Sequence, residues 1–487
     1  MARTATPPST FLDVLLGPAP AGPSALAVAT RTAEGWDEAT YAELGRRTTL
    51  VDARLASLGV RVADRVVLAA PAGGWWLAAL LGILRRGAVA VPLDPALTEA
   101  ERAPMVARSA PAAVLDGAAL DDLALAALGG DGAVGAAAPE RTPRRAGDPA
   151  LIVWTSGTTG APKGVTLTLA NLAYSVEQAM AGQRPGPDDR WLSLLPPHHL
   201  LELCCGLLPA LVAGGSVRVA RSLIPAEVAA MVGEHGITRM VAVPLVLRLL
   251  EGALAASDLR AVYCGGAPLD PAVVRRWAER GIAVHPGYGL TEAAPTVAMN
   301  TPAASRSGSV GRPLAGTDVR IAGDGEILVR SPGVMTGYWA DDALTAAAVD
   351  AEGWLHTGDL GRLDDDGFLY VTGRAKRLIV LESGKKVQPE EVEGALAAGP
   401  RFAEVCVVGV TGTRRGTPTE RVCAVVVPVD AALDHDAAAA EVARLTSTLS
   451  GYKRPALVRV ARRPLPRTLK GAPRHAEVAR MVEAGEL

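Results

Sequence analysis

Between residues 150 and 290 short apolar runs alternate with longer stretches whose apolar positions recur at helical spacing. The runs predict strands at Leu151–Trp154, Trp191–Leu194, Val217–Val219, Arg239–Val241, Ala261–Tyr263 and Ala283–His285. The stretches between them predict helices, among them 200–213, 225–234, 244–254 and 270–280. Strand–helix alternation argues for a largely parallel sheet covered on both faces. One uncharged stretch, Val66 to Leu84, approaches the length that spans a bilayer. Pro71, Gly73 and Gly74 break it, so it reads as a buried strand near 65–70 and a helix near 75–86. The Ala/Gly/Pro-rich stretch 129–149 reads as a loop.

From about 305 to 373 the pattern changes to short alternating runs, such as Asp318–Ile321 and Glu326–Val329, separated by Gly and Asp. These suggest antiparallel strands or a small barrel. After Arg374 the pattern predicts strand 378–381, helix 389–397, strands near 404–410 and 421–427, helix 436–449 and strand 456–460. The expected fold class is therefore α/β: a large multilayered N-terminal domain, 1–374, with a small barrel-like part, and a small α+β domain, 375–487, hinged to it.

Composition changes this picture little. At 487 residues the chain exceeds one compact core. Its formal net charge of −2 gives no electrostatic footprint for nucleic acid. Five cysteines, Cys204, Cys205, Cys264, Cys406 and Cys423, form no CxxC pair. They read as buried free thiols of a reducing cytoplasm, not as disulfides or zinc ligands. Pro7-Pro8 and Asp13 interrupt any signal-peptide core. Of 49 basic residues only six are lysine: Lys163, Lys376, Lys385, Lys386, Lys453 and Lys470. Where arginine is the default cation, a retained lysine points to a need for its compact ammonium.

The candidate chemistry begins at Trp154-Thr155-Ser156-Gly157-Thr158-Thr159-Gly160-Ala161-Pro162-Lys163-Gly164. Hydroxyls and backbone N–H groups on such a turn can face a polyphosphate, with the lysine as a point charge. No Ser or Thr follows Lys163, so this is not a Walker A loop. Four further motifs follow in order. Tyr288-Gly289-Leu290-Thr291-Glu292 sets a hydroxyl beside a carboxylate, a pairing that can hold a phosphate and Mg²⁺ together. His356-Thr357-Gly358-Asp359 puts a carboxylate on a turn, where it can accept two ribose hydroxyls. Gly373-Arg374-Ala375-Lys376 leads through Gly384-Lys385-Lys386 to Pro389-Glu390-Glu391, and Pro466-Arg467-Thr468-Leu469-Lys470-Gly471 closes the series.

Together these motifs resemble the adenylate-forming superfamily of acyl- and aryl-CoA synthetases, peptide-synthetase adenylation domains and luciferases. The wording is most similar to bacterial fatty-acyl-CoA synthetases, including Leu195-Pro196-Pro197-His198-His199-Leu200-Leu201-Glu202 and Ser309-Val310-Gly311-Arg312-Pro313. The resemblance covers nearly the whole chain. It implies an AMP-forming ligase: a carboxylate attacks the α-phosphorus of ATP, pyrophosphate leaves, and a thiol of CoA or of a carrier-protein phosphopantetheine displaces AMP. The implied partners are a small carboxylic acid and an acyl carrier protein, with no nucleic acid and no membrane span.

The resemblance also assigns roles. Thr155, Ser156, Gly157, Thr158, Thr159, Gly160 and Lys163 clasp the phosphates. Thr291 contacts the α-phosphate, and Glu292 with Thr155 holds Mg²⁺. Gly266, Ala267, Tyr288 and Gly289 flank adenine, while Asp359 and Arg374 take the ribose. His199 gates the acid site, Lys376 is the hinge, and the Gly384-Lys385 turn serves the thiol tunnel.

Two positions depart from the family pattern. The usual Pro-x-Thr-x-x-Gly-Lys motif places its lysine at Ala472, and Lys470 lies two residues earlier. In an extended segment a shift of two keeps the same face and moves the side chain roughly 6–7 Å. Lys470 is therefore the candidate catalytic lysine. Arg377 stands where relatives carry an acidic or polar residue. Two alternatives to acyl ligation stay open: an ATP-dependent diazotase-like enzyme that activates nitrite for an aryl amine, and a non-catalytic nucleotide-binding protein.

Overall fold

The structure is a computed structural model. It describes residues 13–17, 19–33, 35–128, 144–156, 162–254, 258–381, 386–414, 417–467 and 472–487. The chain divides into two compact units, one of residues 1–319 and 329–355, the other of 320–328 and 356–487.

The strands in chain order are β1 Leu26–Arg31, β2 Trp36–Thr40, β3 Arg65–Ala69, β4 Val89–Pro92, β5 Ala113–Asp116, β6 Pro149–Ser156, β7 Pro162–Thr168 and β8 Arg190–Ser193. Then come β9 Ser216–Val219, β10 Arg239–Ala242, β11 Ala261–Cys264, β12 Ala283–Gly289, β13 Thr296–Met299, β14 Arg312–Pro313, β15 Asp318–Ile321, β16 Glu326–Arg330 and β17 Gly337–Tyr338. The rest are β18 Leu355–Leu363, β19 Leu369–Arg374, β20 Ile379–Val380, β21 Lys386–Val387, β22 Phe402–Arg414, β23 Thr417–Pro428 and β24 Leu457–Val460.

The first unit is built on two sheets. A nine-stranded sheet runs in the order β14-β13-β12-β11-β10-β8-β9-β1-β2. Its middle, from β12 to β1, is parallel throughout. A six-stranded sheet runs β17-β7-β6-β4-β3-β5. Its β6-β4-β3-β5 part is parallel, and β7 and β17 add antiparallel strands at one edge. One apolar cluster takes in Leu151, Val153 and Val165 from the six-stranded sheet and Trp191, Val217, Val241 and Tyr263 from the nine-stranded sheet. The helices Gly74–Arg86 and Leu169–Gln183 contribute to the same cluster, including the fully buried Trp76. Parallel strands covered on both faces read as near-continuous apolar runs, which is why the alternation was legible from residues alone.

The predicted helix 200–213 is one helical segment with an irregularity. Leu200–Glu202 and Leu208–Val212 are α-helical, and the five residues Leu203–Leu207 between them form a π-turn. Such turns cluster at functional sites. Cys204 and Cys205 sit in it, both buried, and all five cysteines are free thiols. Glu202 is 1% exposed. Burial pushes its carboxyl up to about 8, opposed by hydrogen bonds from the Ser193 side chain and the Leu195 backbone.

The second unit holds a four-stranded sheet, β15-β16-β18-β19, from the region read as a small barrel. It continues with the β20-β21 pair and a three-stranded sheet, β22-β23-β24. Helices Pro389–Ala397 and His435–Leu445 pack with that sheet around Val407, Val422, Ala424 and Val392. Helix His475–Glu483 adds Val478 and Val482 to a second cluster with Cys406, Val408 and Cys423. The boundary expected after residue 374 falls inside this unit, at the single turn Ala375–Arg377.

Glu202 gives a pH signature. From about pH 4.5 to about pH 8 its unfolded carboxyl ionises while the folded one stays protonated. The unfolded state then binds fewer protons, so this group lowers stability as pH rises through that window. Glu202→Gln removes the effect, so the variant should gain stability over the parent on going from pH 5 to pH 8. Urea melts at the two pH values measure it, and an unchanged difference contradicts the assignment.

Candidate active site

Four loops of the first unit leave the carboxyl ends of parallel strands in the nine-stranded sheet. The loop after β8 carries His198 and His199, and Val243 follows β10. Gly265, Gly266 and Ala267 follow β11, and Leu290, Thr291 and Glu292 follow β12. The carboxyl ends of parallel strands are where open α/β sheets bind ligands. The sheet topology thus gathers His199, Gly266, Ala267, Tyr288, Gly289, Thr291 and Glu292 at one edge.

Local sequence explains the shape of that edge. Gly266 has φ +82°, a left-handed conformation that favours glycine. A Cβ on Gly289 would overlap the Pro295 carbonyl, so only glycine fits where β12 bulges against β13. Thr291–Ala293 then forms a single 3₁₀ turn. The Glu292 carbonyl accepts the Met335 N–H at 2.8 Å, which tethers that turn to the segment entering β17.

His199 is half-buried and occupies the N-cap of Leu200–Glu202. Its ring lies 4.5 Å from that of His198, centroid to centroid. His198 is buried with Nε2 4.0 Å from Asp94 Oδ2. Burial holds its imidazole below the usual value, opposed by the Asp94 charge.

The phosphate-loop candidates sit on the other sheet, and here the structure adds something the sequence reading lacked. Lys163 does not end a loop. It is the second residue of β7, paired antiparallel across from Thr155 on β6, so the motif is a hairpin. Gly164-Val165-Thr166-Leu167-Thr168 has the β-branched alternation that predicts such a strand. Gly157, Thr158, Thr159 and Gly160 lie outside the described residues, as does the side chain of Ser156.

Three residues outside the predicted set fix this hairpin. Arg108 donates from Nη1 to the Pro162 carbonyl at 2.6 Å and stacks over Trp154 at 4.8 Å. Trp339 donates its backbone N–H to the Gly164 carbonyl at 2.6 Å and its indole N–H to the Arg108 carbonyl at 3.0 Å. Tyr338, paired with Val165 across β17 and β7, has two contacts of direct chemical interest. The Lys163 ammonium lies 5.2 Å from its ring centroid, and its hydroxyl donates to Glu292 Oε1 at 2.9 Å. Burial and the Glu292 charge push the Tyr338 phenol well above its ordinary value, so it stays a donor. Lys163, Tyr338 and Glu292 thus link the two sheets. Nothing in the sequence spacing ties Tyr338 to Glu292.

Glu292 offers hard oxygen donors on a half-buried turn, and Thr291 adds a hydroxyl beside it. Mg²⁺ is held in just this way, by one or two protein oxygens with phosphates and water completing the shell. The residues present therefore fit that ion. Thr155 has its Oγ1 3.5 Å from the Lys163 carbonyl.

In the second unit, Asp359 and Arg374 face each other across β18 and β19 and form an ion pair, Nε to Oδ1, at 2.8 Å. The Asp359 side chain is 5% exposed. Gly358 precedes it with φ +68°, and its N–H donates to Glu326 Oε1 at 2.7 Å. Lys376 lies in the 3₁₀ turn Ala375–Arg377, its side chain outside the described residues. Arg377, the unusual residue beside it, pairs with Glu390 at 3.3 Å. Gly384, Lys385 and Lys470 lie outside the described residues. On the near flank of Lys470, Arg467 pairs with Glu404 at 3.0 Å and bridges Pro473.

A family profile described as AMP-binding enzyme matches residues 19–339, and one described as AMP-binding enzyme C-terminal domain matches 391–472. The chain belongs to the AMP-binding enzyme family. Relatives include the feruloyl-CoA synthase of an Amycolatopsis species, 34% identical, with 93% of this chain and 96% of the relative aligned. The indoleacetate–CoA ligase of Aromatoleum aromaticum is 36% identical over 69% of this chain and 67% of the relative. The ATP-bound structure of MatB from Rhodopseudomonas palustris matches with a TM-score of 0.87 at 28% identity, covering 98% of this chain and 99% of that one. As an AMP-binding enzyme of the acyl-CoA synthetase type, the chain is an AMP-forming ligase that uses ATP to activate a carboxylic acid. No helix among the described residues is long and apolar enough to cross a membrane.

Tyr338→Phe keeps the ring beside Lys163 and removes the donor to Glu292. A hydrogen bond to a charged group is worth about 1.5–3 kcal/mol. The Mg²⁺ concentration for half-maximal pyrophosphate release should therefore rise about tenfold or more, with melting temperature little changed. An unchanged Mg²⁺ dependence would separate Tyr338 from the metal.

Proposed function

We propose that this AMP-binding enzyme activates a ring-bearing carboxylic acid, an aryl or aryl-alkanoic acid, and passes it to the thiol of CoA. The observation that carries this reading is the glycine pair after β11. A Cβ at Gly265 would stand 3.4 Å from Leu201 Cδ1. One at Gly266 would stand 3.6 Å from Val243 Cγ1 and 3.9 Å from Leu201 Cδ2. Leu201 and Val243 therefore cover a floor made of backbone alone. A backbone surface without Cβ atoms suits the face of a flat ring. The names of the feruloyl and indoleacetate relatives point the same way. A fatty-acid ligase of Mycobacterium bovis also matches, at 31% identity over 77% of this chain.

The chemistry must bring two anions together and neutralise charge as the α-phosphorus is attacked. In this reading Lys163 and the hairpin donors carry the outer phosphates, and Thr291 meets the α-phosphate. Glu292 with Thr155 carries Mg²⁺. Tyr288, Gly266 and Ala267 flank adenine, and Asp359 and Arg374 keep the ribose role. His199 borders the acid. Lys470 supplies the positive charge that Ala472 lacks, and the turn at Lys376 lets the C-terminal domain exchange the Lys470 segment for the Gly384-Lys385 turn between the two half-reactions.

A substrate panel tests this. AMP release is read with hydroxycinnamates, aryl acetates and medium- and long-chain fatty acids, with CoA or a phosphopantetheinylated carrier protein, and with nitrite plus an aryl amine. The aryl acids with CoA should give the highest kcat/KM. Leu201→Ala should shift preference toward longer or bulkier acids, by about tenfold or less for each methylene accommodated. Nitrite-dependent AMP formation with no response to any acid would overturn the reading.

A further inference from the structure

Away from every residue assigned above, three side chains of the second unit converge: Glu393, Cys406 and His475. They come from helix Pro389–Ala397, strand β22 and the first residue of helix His475–Glu483. One ligand atom from each lies within 4.8 Å of the other two. Cys406 is fully buried, and the His475 and Glu393 side chains are 10% and 18% exposed. The separations in sequence, 13 residues and then 69, match no metal motif, so the cluster is invisible until the chain is folded.

The surroundings orient all three groups inward. His475 Nδ1 lies 3.1 Å from the Pro473 carbonyl oxygen, which can only accept. Nδ1 therefore carries a hydrogen, and Nε2 is the nitrogen turned to the cluster. Nε2 stands 2.7 Å from Glu393 Oε1, which also takes the Val407 backbone N–H at 2.7 Å. A carbonyl on the far nitrogen of a histidine and a donor on a carboxylate are the outer contacts that orient metal ligands. Cys406 lies among Val408, Leu465, Val478 and Val482, a dry wall on the third side. One turn before Glu393, Glu390 keeps Oε2 buried with no hydrogen-bond partner.

We propose that Glu393, Cys406 and His475 form a site for a divalent metal of the zinc class, which fastens the last helix to the core of this domain. One sulfur, one imidazole nitrogen and one carboxylate oxygen are ligands of that class, and a water completes four-coordination. Bonds of about 2.0–2.3 Å place ligand atoms roughly 3–4 Å apart. The three groups reach this by closing on the sulfur and by opening the Nε2–Oε1 contact. The cation replaces the proton that bridges those two atoms, and the thiol proton leaves to solvent, so Zn²⁺ with one thiolate and one carboxylate is neutral overall. The helix fastened in this way follows directly on the segment that carries Lys470.

The test uses the full chain, stripped with a chelator under reducing conditions and titrated with Zn²⁺ or Co²⁺ alone. The wild type should bind one equivalent and melt at a higher temperature with Zn²⁺. Co²⁺ should give a thiolate-to-cobalt charge-transfer band. Cys406→Ser should abolish the band and the thermal shift, and His475→Gln should weaken Zn²⁺ binding about tenfold or more. Cys423→Ser, which changes a buried cysteine outside the cluster, should bind as the wild type does. No binding at micromolar metal, or a band that survives in Cys406→Ser or vanishes in Cys423→Ser, overturns the proposal.

Discussion

The contact that joins the two sheets of the first unit is Tyr338, held between a cation on one sheet and a carboxylate on the other. Its ring faces the Lys163 ammonium, and its hydroxyl donates to Glu292. Strand β17 is only two residues long, yet it is hydrogen-bonded to β7 and so moves with the β6–β7 hairpin. The 3₁₀ turn bearing Glu292 belongs to the other sheet. A point charge for phosphates and a carboxylate for their metal must keep a fixed separation if both are to serve one polyphosphate. A rigid aromatic side chain with a polar tip can set that separation at low entropy cost, since it has only two rotatable bonds. Arg108 and Trp339 hold the same hairpin from its outer edge.

The proposed acid side rests on a different constraint. The loops after β8, β10 and β11 bring Leu201, Val243 and the Gly265-Gly266 pair together because parallel strands end at a common edge. The π-turn Leu203–Leu207 follows Leu201 in the chain, with the fully buried Glu202 at its start. A carboxyl in that setting is kept neutral by burial, so it packs as a polar but uncharged group and leaves the edge free of a competing negative charge. That matters where an anionic acid must approach an anionic nucleotide.

Much of this was legible in the residues. Apolar runs placed β8 to β12 of the nine-stranded sheet to within a few residues, because strands buried on both faces leave continuous hydrophobic signatures; β1, β2, β13 and β14 were not read. Helices 225–234 and 389–397 lie where their periodicity put them. The motifs pointed to the family, and the family profiles cover those at 154–164, 288–292 and 466–471, while those from 356 to 390 lie between the two profiles. What could not be read was tertiary. The hairpin partner β7 begins inside the glycine-rich motif, so its first residues looked like loop. Tyr338 is 46 residues from Glu292, and Arg108 is 54 from Pro162; only sheet order makes them neighbours. The π-turn was hidden because its residues keep helical apolarity while the hydrogen-bond spacing changes. Glu393, Cys406 and His475 escaped for the same reason as Tyr338: each has a sound local role on its own element, and nothing in sequence spacing joins them.

The central claim is that the hairpin cation and the carboxylate on the turn act on one bound polyphosphate as a unit. A double-mutant cycle with Lys163→Ala and Glu292→Gln, read as acid-dependent pyrophosphate release at saturating Mg²⁺, measures this directly. Groups that share a ligand couple by about 0.5–3 kcal/mol, whereas independent sites add. The account predicts that the double variant loses far less than the product of the two single losses. Losses that multiply would show that Lys163 and Glu292 work apart, and would contradict it.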